Sequence, residues 1–378
     1  MKILKGYVFR LYPNKNQEEL INKTIGCSRF IYNYFLADHI KKLRKSKTTY
    51  EQIKQIPSLI KDNPWLKEVD SCALRTSLFN LEDAYKRFYK GNGYPKFKSK
   101  YIHDSYKTNN IKSSYQGKEY NSIKLDLKNK TITLPKLKEV KIRGYRNKEN
   151  IAGNIKSAVI RKEAGKYYVS ILIEEEIIKP SFMPKTIVGL DFGIKNLIIT
   201  SHNEKIENKI KINTKRLKGL QRGLARCQAG SKNRYKMKLK IQKLYKKIKN
   251  ERKHLIHDIT NYLLKENDII VTEDLDLKRM QKNHYVAKGL NENPISEIIR
   301  VLKYKAQWQG KKVIQIDRYY PSSQKCSICD YQNKEIKDLR IRAWECPKCH
   351  NHHDRDLNAS INIMFEGLKK HMQIIKEV

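Results

Sequence analysis

The residues Ile187-Val188-Gly189-Leu190 form a short apolar run that stops on Asp191, with Phe192 and Gly193 behind it. An apolar run of this length bounded by a turn reads as a buried strand, and Gly193 frees the backbone to turn. Leu197–Thr200 then returns as the second strand of a hairpin. Farther on, Ile269-Ile270-Val271-Thr272 repeats the pattern and stops on Glu273. Between them lies a long basic helical pair through about Arg252, turning near Gly230 and Ser231, and another helix leads into Ile269. A helix near Ser296–Gln309 precedes a last strand, Val313–Ile316. Strand, strand, helices, strand, helix, strand is the order of an α/β domain with a mixed sheet. The carboxyl ends of strands in such a sheet are where a site forms.

A third acidic group, Asp354-Arg355-Asp356, opens a helix that begins at Leu357. Three acids brought to one point repel one another unless cations lie between them. Hard divalent ions such as Mg²⁺ take oxygen ligands and share phosphate oxygens with a substrate. Two of them, about 3.5–4 Å apart, clamp the attacking and leaving oxygens of a phosphodiester displacement. Each acid also has an ordinary use. An Asp after a strand caps a turn, Glu273 with Asp274 and Asp276 makes an acidic loop, and Asp354 or Asp356 caps a helix start. Acids at three topologically matched positions are what points to metal-dependent chemistry. No Ser/His/Asp or Cys/His arrangement and no phosphate-cradling glycine loop competes.

Four of the seven cysteines form two close pairs, Cys326/Cys329 and Cys346/Cys349, separated by sixteen residues. Two C-x₂-C knuckles at this spacing supply four thiolates to a tetrahedral zinc ion. A redox role needs only one pair, and a closed four-cysteine site keeps no open position, so the expected role is structural. His350, His352 and His353 are alternative ligands that four cysteines make unnecessary. Cys27, Cys72 and Cys227 read as buried small hydrophobes.

The chain carries 80 Lys+Arg against 39 Asp+Glu in 378 residues, formally +41. Such an excess repels itself unless a polyanion neutralises it, and each phosphate contact with nucleic acid gains from counterion release. No apolar stretch approaches the roughly 18–20 residues that span a bilayer, and Met1-Lys2-Ile3-Leu4-Lys5-Gly6 lacks the apolar segment of a signal peptide. A cytoplasmic protein, nucleoid-associated when on DNA and with no membrane partner, is expected. Between Lys211 and Lys253 the one acidic residue is Glu251. Part of this run reads as solvated surface and part as the lining of a nucleic-acid channel. Arg222, Arg226, Arg234 and Lys243 are channel candidates, with Tyr235 and Tyr245 available for stacking.

Nearer the start, residues 3–11 alternate apolar and polar up to Pro13 and read as a strand. Helical spacing follows over Gln17 to about Arg44, Tyr50–Ile60 and Ser71 to about Tyr89. Ser71 is a candidate cap, and Gly91, Gly93 and Pro95 mark the stop. Past Tyr101 come short strands at Ser122–Leu127, Thr131–Leu134, Val140–Arg143, Ser157–Arg161 and Tyr167–Ile173. Such a series reads as a small barrel or sandwich, which the first strand can join, leaving the helices as an insertion.

These motifs together resemble the TnpB family, the transposon-encoded OrfB proteins. Val188-Gly189-Leu190-Asp191-Phe192-Gly193-Ile194-Lys195-Asn196 looks like its first RuvC motif and Ile270-Val271-Thr272-Glu273-Asp274-Leu275 its second. His353-Asp354-Arg355-Asp356-Leu357-Asn358-Ala359-Ser360, following the second knuckle, is similar to the third, and Tyr320-Pro321-Ser322-Ser323-Gln324-Lys325-Cys326 to the lead-in of the first knuckle. Tyr7–Pro13, Cys27–Asn33, Pro64–Lys67 and Gly93–Phe97 match in the N-terminal half.

The resemblance implies a multidomain α+β fold. A wedge β-barrel would form from residues 1–13 and 101–183, with a helical recognition domain at 14–100 inserted in it. A RuvC (RNase H-like) nuclease domain at 184–320 and 351–378 would carry a zinc-ribbon target-nucleic-acid-binding domain at 321–350. The resemblance implies Asp191, Glu273 and Asp356 as catalytic ligands of Mg²⁺ or Mn²⁺, choosing Asp356 over Asp354, and structural Zn²⁺ on Cys326, Cys329, Cys346 and Cys349. It implies an RNA-guided DNA endonuclease related to type V CRISPR effectors. A guide RNA from the transposon end pairs with double-stranded target DNA beside a short transposon-adjacent motif, and both strands are cut by a complex holding one copy of the protein. Tyr50, Ser71, Arg75, Asn80, Thr108 and Asn109, with Asn110, are the residues expected to read the flank, Arg75 and Asn80 through base edges. Plain surface polarity accounts equally well for any one of them. The competing readings are a nuclease-inactive RNA-guided DNA-binding repressor, an enzyme joining transposon ends itself, and a non-catalytic zinc-ribbon RNA-binding protein.

Overall fold

The computed structural model describes residues 1–41, 48–100, 104–115, 118–144, 151–178, 180, 183–210, 214–338 and 340–376. Arg44, Tyr101 and Lys211, which bound segments of the sequence reading, lie outside the described residues. The chain divides into two compact units, Met1–Ile177 and Ile178–Val378.

The first unit begins with β1 (Lys2–Tyr12), whose Ile3, Phe9 and Leu11 are buried. Three helices follow, α1 (Lys15–Lys41), α2 (Thr49–Asp62) and α3 (Ser71–Tyr89). A capping box starts α2, the Thr48 side chain accepting from the Glu51 N–H and the Glu51 carboxylate from the Thr48 N–H. The cap of α3 is Asp70, one residue ahead of the expected Ser71; its Oδ1 accepts from the Cys72 N–H at 2.9 Å. Leu74, Leu78 and Leu81 of α3 pack with Ile31, Phe35 and Leu36 of α1 and with Ile56 and Leu59 of α2 in a core of their own. Ile21, Ile25 and Ala73 turn instead to the sheet.

Eight more strands complete this unit: β2 (Ser105–Asn109), β3 (Lys112–Tyr115), β4 (Lys118–Asn121), β5 (Lys124–Asp126), β6 (Thr131–Leu134), β7 (Lys138–Arg143), β8 (Asn154–Glu163) and β9 (Lys166–Glu176). Seven strands form one sheet in the order β2-β8-β9-β1-β7-β6-β5, and β3 pairs with β4 separately. The first strand lies inside the sheet, antiparallel to β9 along Lys2–Leu11 and to β7 at Arg10–Tyr12. The expected barrel closure is not seen. Among the described residues β2 and β5 end the order unpaired with each other, so the sheet is open. One edge needs no strand partner because α3 lies along it: the Asn109 N–H of β2 donates to the Cys72 Sγ at 3.4 Å.

The second unit contains β10 (Ile187–Asp191), β11 (Ile198–Thr200), β12 (Lys205–Ile206), α4 (Thr214–Arg226), α5 (Lys232–Glu266), β13 (Ile269–Glu273), α6 (Leu277–Met280), α7 (His284–Glu292), α8 (Ile295–Trp308), β14 (Lys312–Ile316), β15 (Ala343–Glu345), β16 (His352–Asp354) and α9 (Arg355–Lys376). The helix expected ahead of Ile269 is not separate. No glycine or proline interrupts the chain after Ser231, so α5 continues for 35 residues. Its first turns are basic and solvated, and only its last part buries an apolar face through Ile256, Ile259, Leu263 and Leu264.

The five-stranded sheet has the order β12-β11-β10-β13-β14, with β10, β13 and β14 parallel and β11 and β12 antiparallel. Strand alternation sorts its residues to two faces. Val188, Leu190, Ile198 and Ile270 pack against Ile259 and Leu263 of α5 and Ile298 and Leu302 of α8. Ile187, Ile269, Val271 and Ile316 pack against Ile363 of α9. A Cβ at Gly189 would collide with the Ser360 carbonyl and stand 2.7 Å from the Met364 nitrogen, and one at Gly367 would collide with Val271. These glycines let α9 lie directly on the sheet. Gly193 serves close approach too and not a left-handed turn: a Cβ there would stand 2.7 Å from the Asn196 carbonyl oxygen.

Candidate functional site

Asp191 and Glu273 end neighbouring parallel strands. The β10–β13 register pairs Leu190 with Thr272, so the two acids stand one step beyond the last paired residues. By alternation both belong to the face that carries Gly189 and Val271, the face covered by α9. Asp356 lies in the first turn of that helix. Asp354 acts as a cap, its Oδ1 accepting from the Asp356 N–H at 3.0 Å and the Leu357 N–H at 3.1 Å, with Lys205 3.6 Å away.

All three acids are partly exposed. Burial pushes the Asp191 carboxyl up to about 8, the charges of Glu273 and Asp356 add to the rise, and Arg355 and the Phe192 N–H oppose it. The Glu273 carboxyl is raised by burial as well, and a hydrogen bond from Ser322 Oγ, 2.5 Å from its Oε1, works the other way. Arg342 Nη1 lies 3.5 Å from Asp356 Oδ1. The buried Arg355 guanidinium donates to the Asp338 carbonyl at 2.8 Å. Sequence reasoning singled out none of Ser322, Arg342 and Arg355. Ser322 lies in the lead-in to the first knuckle and Arg355 between two acids, but nothing in their spacing marks them.

The four knuckle cysteines come together: their Sγ atoms all lie within 4.8 Å of one another. Cys326 to Cys349 and Cys329 to Cys346 are each 3.6 Å, close to the roughly 3.8 Å edge of a tetrahedron with 2.3 Å zinc–sulfur bonds. Both knuckles share one backbone pattern. The Cys326 N–H donates to the Tyr331 carbonyl and the Asp330 N–H to the Cys326 carbonyl; the Cys346 N–H donates to the Asn351 carbonyl and the His350 N–H to the Cys346 carbonyl. Asp330 and His350 sit at φ of 59° and 56° to close these turns. Burial pushes the Cys326 thiol up to about 12, whereas the Asn351 side chain and backbone hold Cys349 down to about 6. His353 Nε2 is 3.1 Å from Cys326 Sγ, outside the four-sulfur set, and His350 and His352 face Glu345. Ile336 and Trp344 give the knuckles a small apolar core.

The flank candidates differ in what their side chains offer to solvent. Tyr50, Ser71 and Arg75 are exposed and Asn80 and Asn109 partly so, but Thr108 is fully buried. The Asn110 side chain is used internally, donating to Asn121 Oδ1 and the Ile155 carbonyl and accepting from the Ile123 N–H. In the channel set, Arg222, Arg226, Tyr235 and Lys243 are exposed. Arg234 is not, since its Nη1 donates to the carbonyls of Leu224 (3.1 Å) and Cys227 (3.0 Å) and closes the end of α4.

The fold and site define a multidomain α+β protein with a mixed sheet carrying acids at its strand ends and a four-cysteine knuckle beside its last helix. Three family models match. One described as "Probable transposase" (OrfB_IS605) covers residues 170–284, a "Helix-turn-helix domain" (HTH_OrfB_IS605) covers 1–48, and a "Cas12f1-like, TNB domain" covers 296–363. The described part of residues 1–48 is one strand and one helix. A "Putative RNA-guided DNA endonuclease" of Streptomyces pristinaespiralis is 30% identical over 97% of this chain and 90% of its own length. The "Putative RNA-guided DNA endonuclease InsQ" of Escherichia coli strain K12 is 32% identical over 97% and 93%. The Cas12f1 chain in a complex with sgRNA and target DNA superposes with a TM-score of 0.57 at 13% identity, over 96% of this chain and 99% of that one. This chain belongs to the TnpB family of transposon-encoded OrfB proteins. Among the described residues no helix is long and apolar enough to cross a membrane.

Proposed function

We propose that this protein is an RNA-guided DNA endonuclease that cleaves both strands of a target with divalent metal at Asp191, Glu273 and Asp356. The observation that carries the reading is the placement of two strand-end acids on the sheet face covered by the helix that bears the third. The raised Asp191 carboxyl fits this: burial first, and then the charges of Glu273 and Asp356, hold on it a proton that a bound cation would displace. Mg²⁺ or Mn²⁺, when bound, would polarise the scissile phosphate and supply the nucleophile. The chain's own residues hold and orient: Ser322 fixes Glu273, Asp354 fixes the first turn beneath Asp356, and Arg342 offers a donor beside Asp356 for a phosphate oxygen.

In this reading the second unit contains a RuvC (RNase H-like) domain interrupted by a zinc-ribbon target-nucleic-acid-binding domain at 321–350. The open sheet of the first unit corresponds to the wedge barrel, with residues 14–100 as its recognition insertion. The names of the full-length relatives support RNA and DNA as partners, and the charge of +41 supports polyanion binding. A guide derived from the transposon end would pair with target beside a short flanking motif, with one copy of the protein per complex. The test is to copurify the bound RNA, supply a matching duplex and Mg²⁺, and follow cleavage. Cutting of both strands that is lost in Asp191→Ala is expected. Binding without cutting, or cutting that survives Asp191→Ala, overturns the proposal.

A further inference from the structure

A polar seam joins the first cysteine knuckle to Glu273. Between β14 and β15 the chain passes Ser322 and enters the knuckle, and α9 crosses it there. Ser322 Oγ donates to Glu273 Oε1 at 2.5 Å. Asn362 Nδ2 donates to the carbonyls of Ser322 at 2.8 Å and Lys325 at 2.7 Å. Asn358, one turn earlier on α9, donates to the Lys325 carbonyl at 2.6 Å, and its Oδ1 accepts from the Ser327 N–H at 2.9 Å. Ser327 stands between Cys326 and Cys329, and Asp356 lies two residues before Asn358. Hydrogen bonds thus run from inside the knuckle, across two asparagines, to Glu273, and their anchor is the helix that carries Asp356.

Ser322, Asn358 and Asn362 are all buried, the asparagines at 1% and 3% exposure. Buried amides are costly unless their groups are used, and apolar side chains would seat α9 at less cost. Their bonds all go to the backbone of one short segment, so what they secure is the course of that segment.

We infer that Ser322, Asn358 and Asn362 are positioning residues that transmit the rigidity of the zinc knuckle to the metal-binding carboxylates. The inference rests on the reading of Asp191, Glu273 and Asp356 as divalent-metal ligands. A closed four-cysteine ion fixes the backbone at Ser327, the asparagines hold Ser322–Lys325 against α9, and Ser322 holds Glu273 toward Asp191 and Asp356. The knuckle then shapes the cutting site as well as serving any grip on nucleic acid.

The test uses the full chain with its guide RNA and Mn²⁺ as the probe, with Mn²⁺ binding followed by electron paramagnetic resonance, cleavage rate measured against Mn²⁺ concentration, and zinc content by elemental analysis. Ser322→Ala and Asn362→Ala are each expected to raise the half-saturating Mn²⁺ concentration about tenfold, the scale for losing a group that orients a metal ligand. Zinc content should stay near wild type, the midpoint should move by a larger factor than the rate at saturating Mn²⁺, and Ser322→Thr should restore the midpoint. A midpoint shift larger than the loss of saturated rate, with zinc retained, is not what general loosening of the fold produces. Cys349→Ser, which opens the zinc site, should shift the midpoint similarly, and adding Ser322→Ala should shift it no further. If Ser322→Ala and Asn362→Ala titrate like wild type while Asp191→Ala loses the Mn²⁺ site, the seam is overturned and the nuclease reading stands. Additive shifts in the double variant overturn the coupling to zinc. If wild type has no Asp191-dependent Mn²⁺ site, the nuclease reading falls and takes this inference with it.

Discussion

Replacing Asp191 by asparagine is expected to stabilise the protein when no Mg²⁺ is present, by an amount that depends on pH. Burial, then Glu273 and Asp356, push the Asp191 carboxyl up to about 8, whereas an aspartate in an unfolded chain ionises at about 3.9. Between those values the folded state keeps a proton that the unfolded state has released, so stability falls as pH rises through the window. Each unit is worth about 1.4 kcal/mol, which sets a ceiling of about 5–6 kcal/mol at pH 8. Because the side chain keeps some contact with water, about half of that ceiling, roughly 3 kcal/mol, is expected. At pH 5 the same discounted cost is under about 1 kcal/mol. Asparagine carries no charge, so Asp191→Asn should raise the Tm of the second unit by roughly 6–12 °C at pH 8 and by no more than about 3 °C at pH 5. Scanning calorimetry in zinc-containing, Mg²⁺-free buffer at the two pH values reads this directly. In saturating Mg²⁺ the order should reverse if the proposed ligands hold the ion, because wild type would gain binding energy that the variant would not. A gain of equal size at both pH values, or a loss at pH 8, refutes the reasoning.

Cys346→Ser should leave less than one zinc per chain and make residues 321–350 the first segment cut by trypsin, followed by mass spectrometry, since a zinc ion on the four cysteines would supply most of the folding energy of so small a core. Gly189→Ala should cost about 3 kcal/mol or more in chemical denaturation, because its methyl meets the backbone of α9; Gly219→Ala, in α4 with open space around it, should cost nothing and gain about 0.5–1 kcal/mol. Neutralising Lys236, Lys240 and Lys243 together should lower the slope of log affinity for RNA against log salt by about 2 in filter binding if the exposed face of α5 meets phosphates; an unchanged slope assigns these lysines to solvated surface.

The sheet of the second unit was legible because its strands are buried on both faces and so read as unbroken apolar runs, Ile187–Leu190 and Ile269–Val271. The knuckle was legible because thiolate spacing is local. What sequence could not show was which residues the return of α9 brings together. Ser322 meets Glu273 across 49 residues, and no periodicity encodes such a pairing. The strand β2 went unread because Ser105-Tyr106-Lys107-Thr108-Asn109 has one aromatic and no aliphatic residue, although Tyr106 and Thr108 are its buried pair. For the same reason Thr108, polar and near a turn, reads as a surface residue, yet it is fully buried. Arg234 was one charge among many, and only its position above the end of α4 made it a cap. The break expected inside α5 came from reading a change of composition, basic to apolar, as a change of element.

The covering of β10 and β13 by α9 also bears on how the chain is made. A ribosome delivers Asp191 and Glu273 well before the segment that roofs them, and until α9 emerges Val271 and the bare backbone of Gly189 face water. A nascent chain therefore carries two of the three acids without the third, and a message cut short before residue 355 yields a product that keeps its basic helices but never assembles the trio. The basic helices and the grouping of the acids are completed at different moments of translation, with the grouping last.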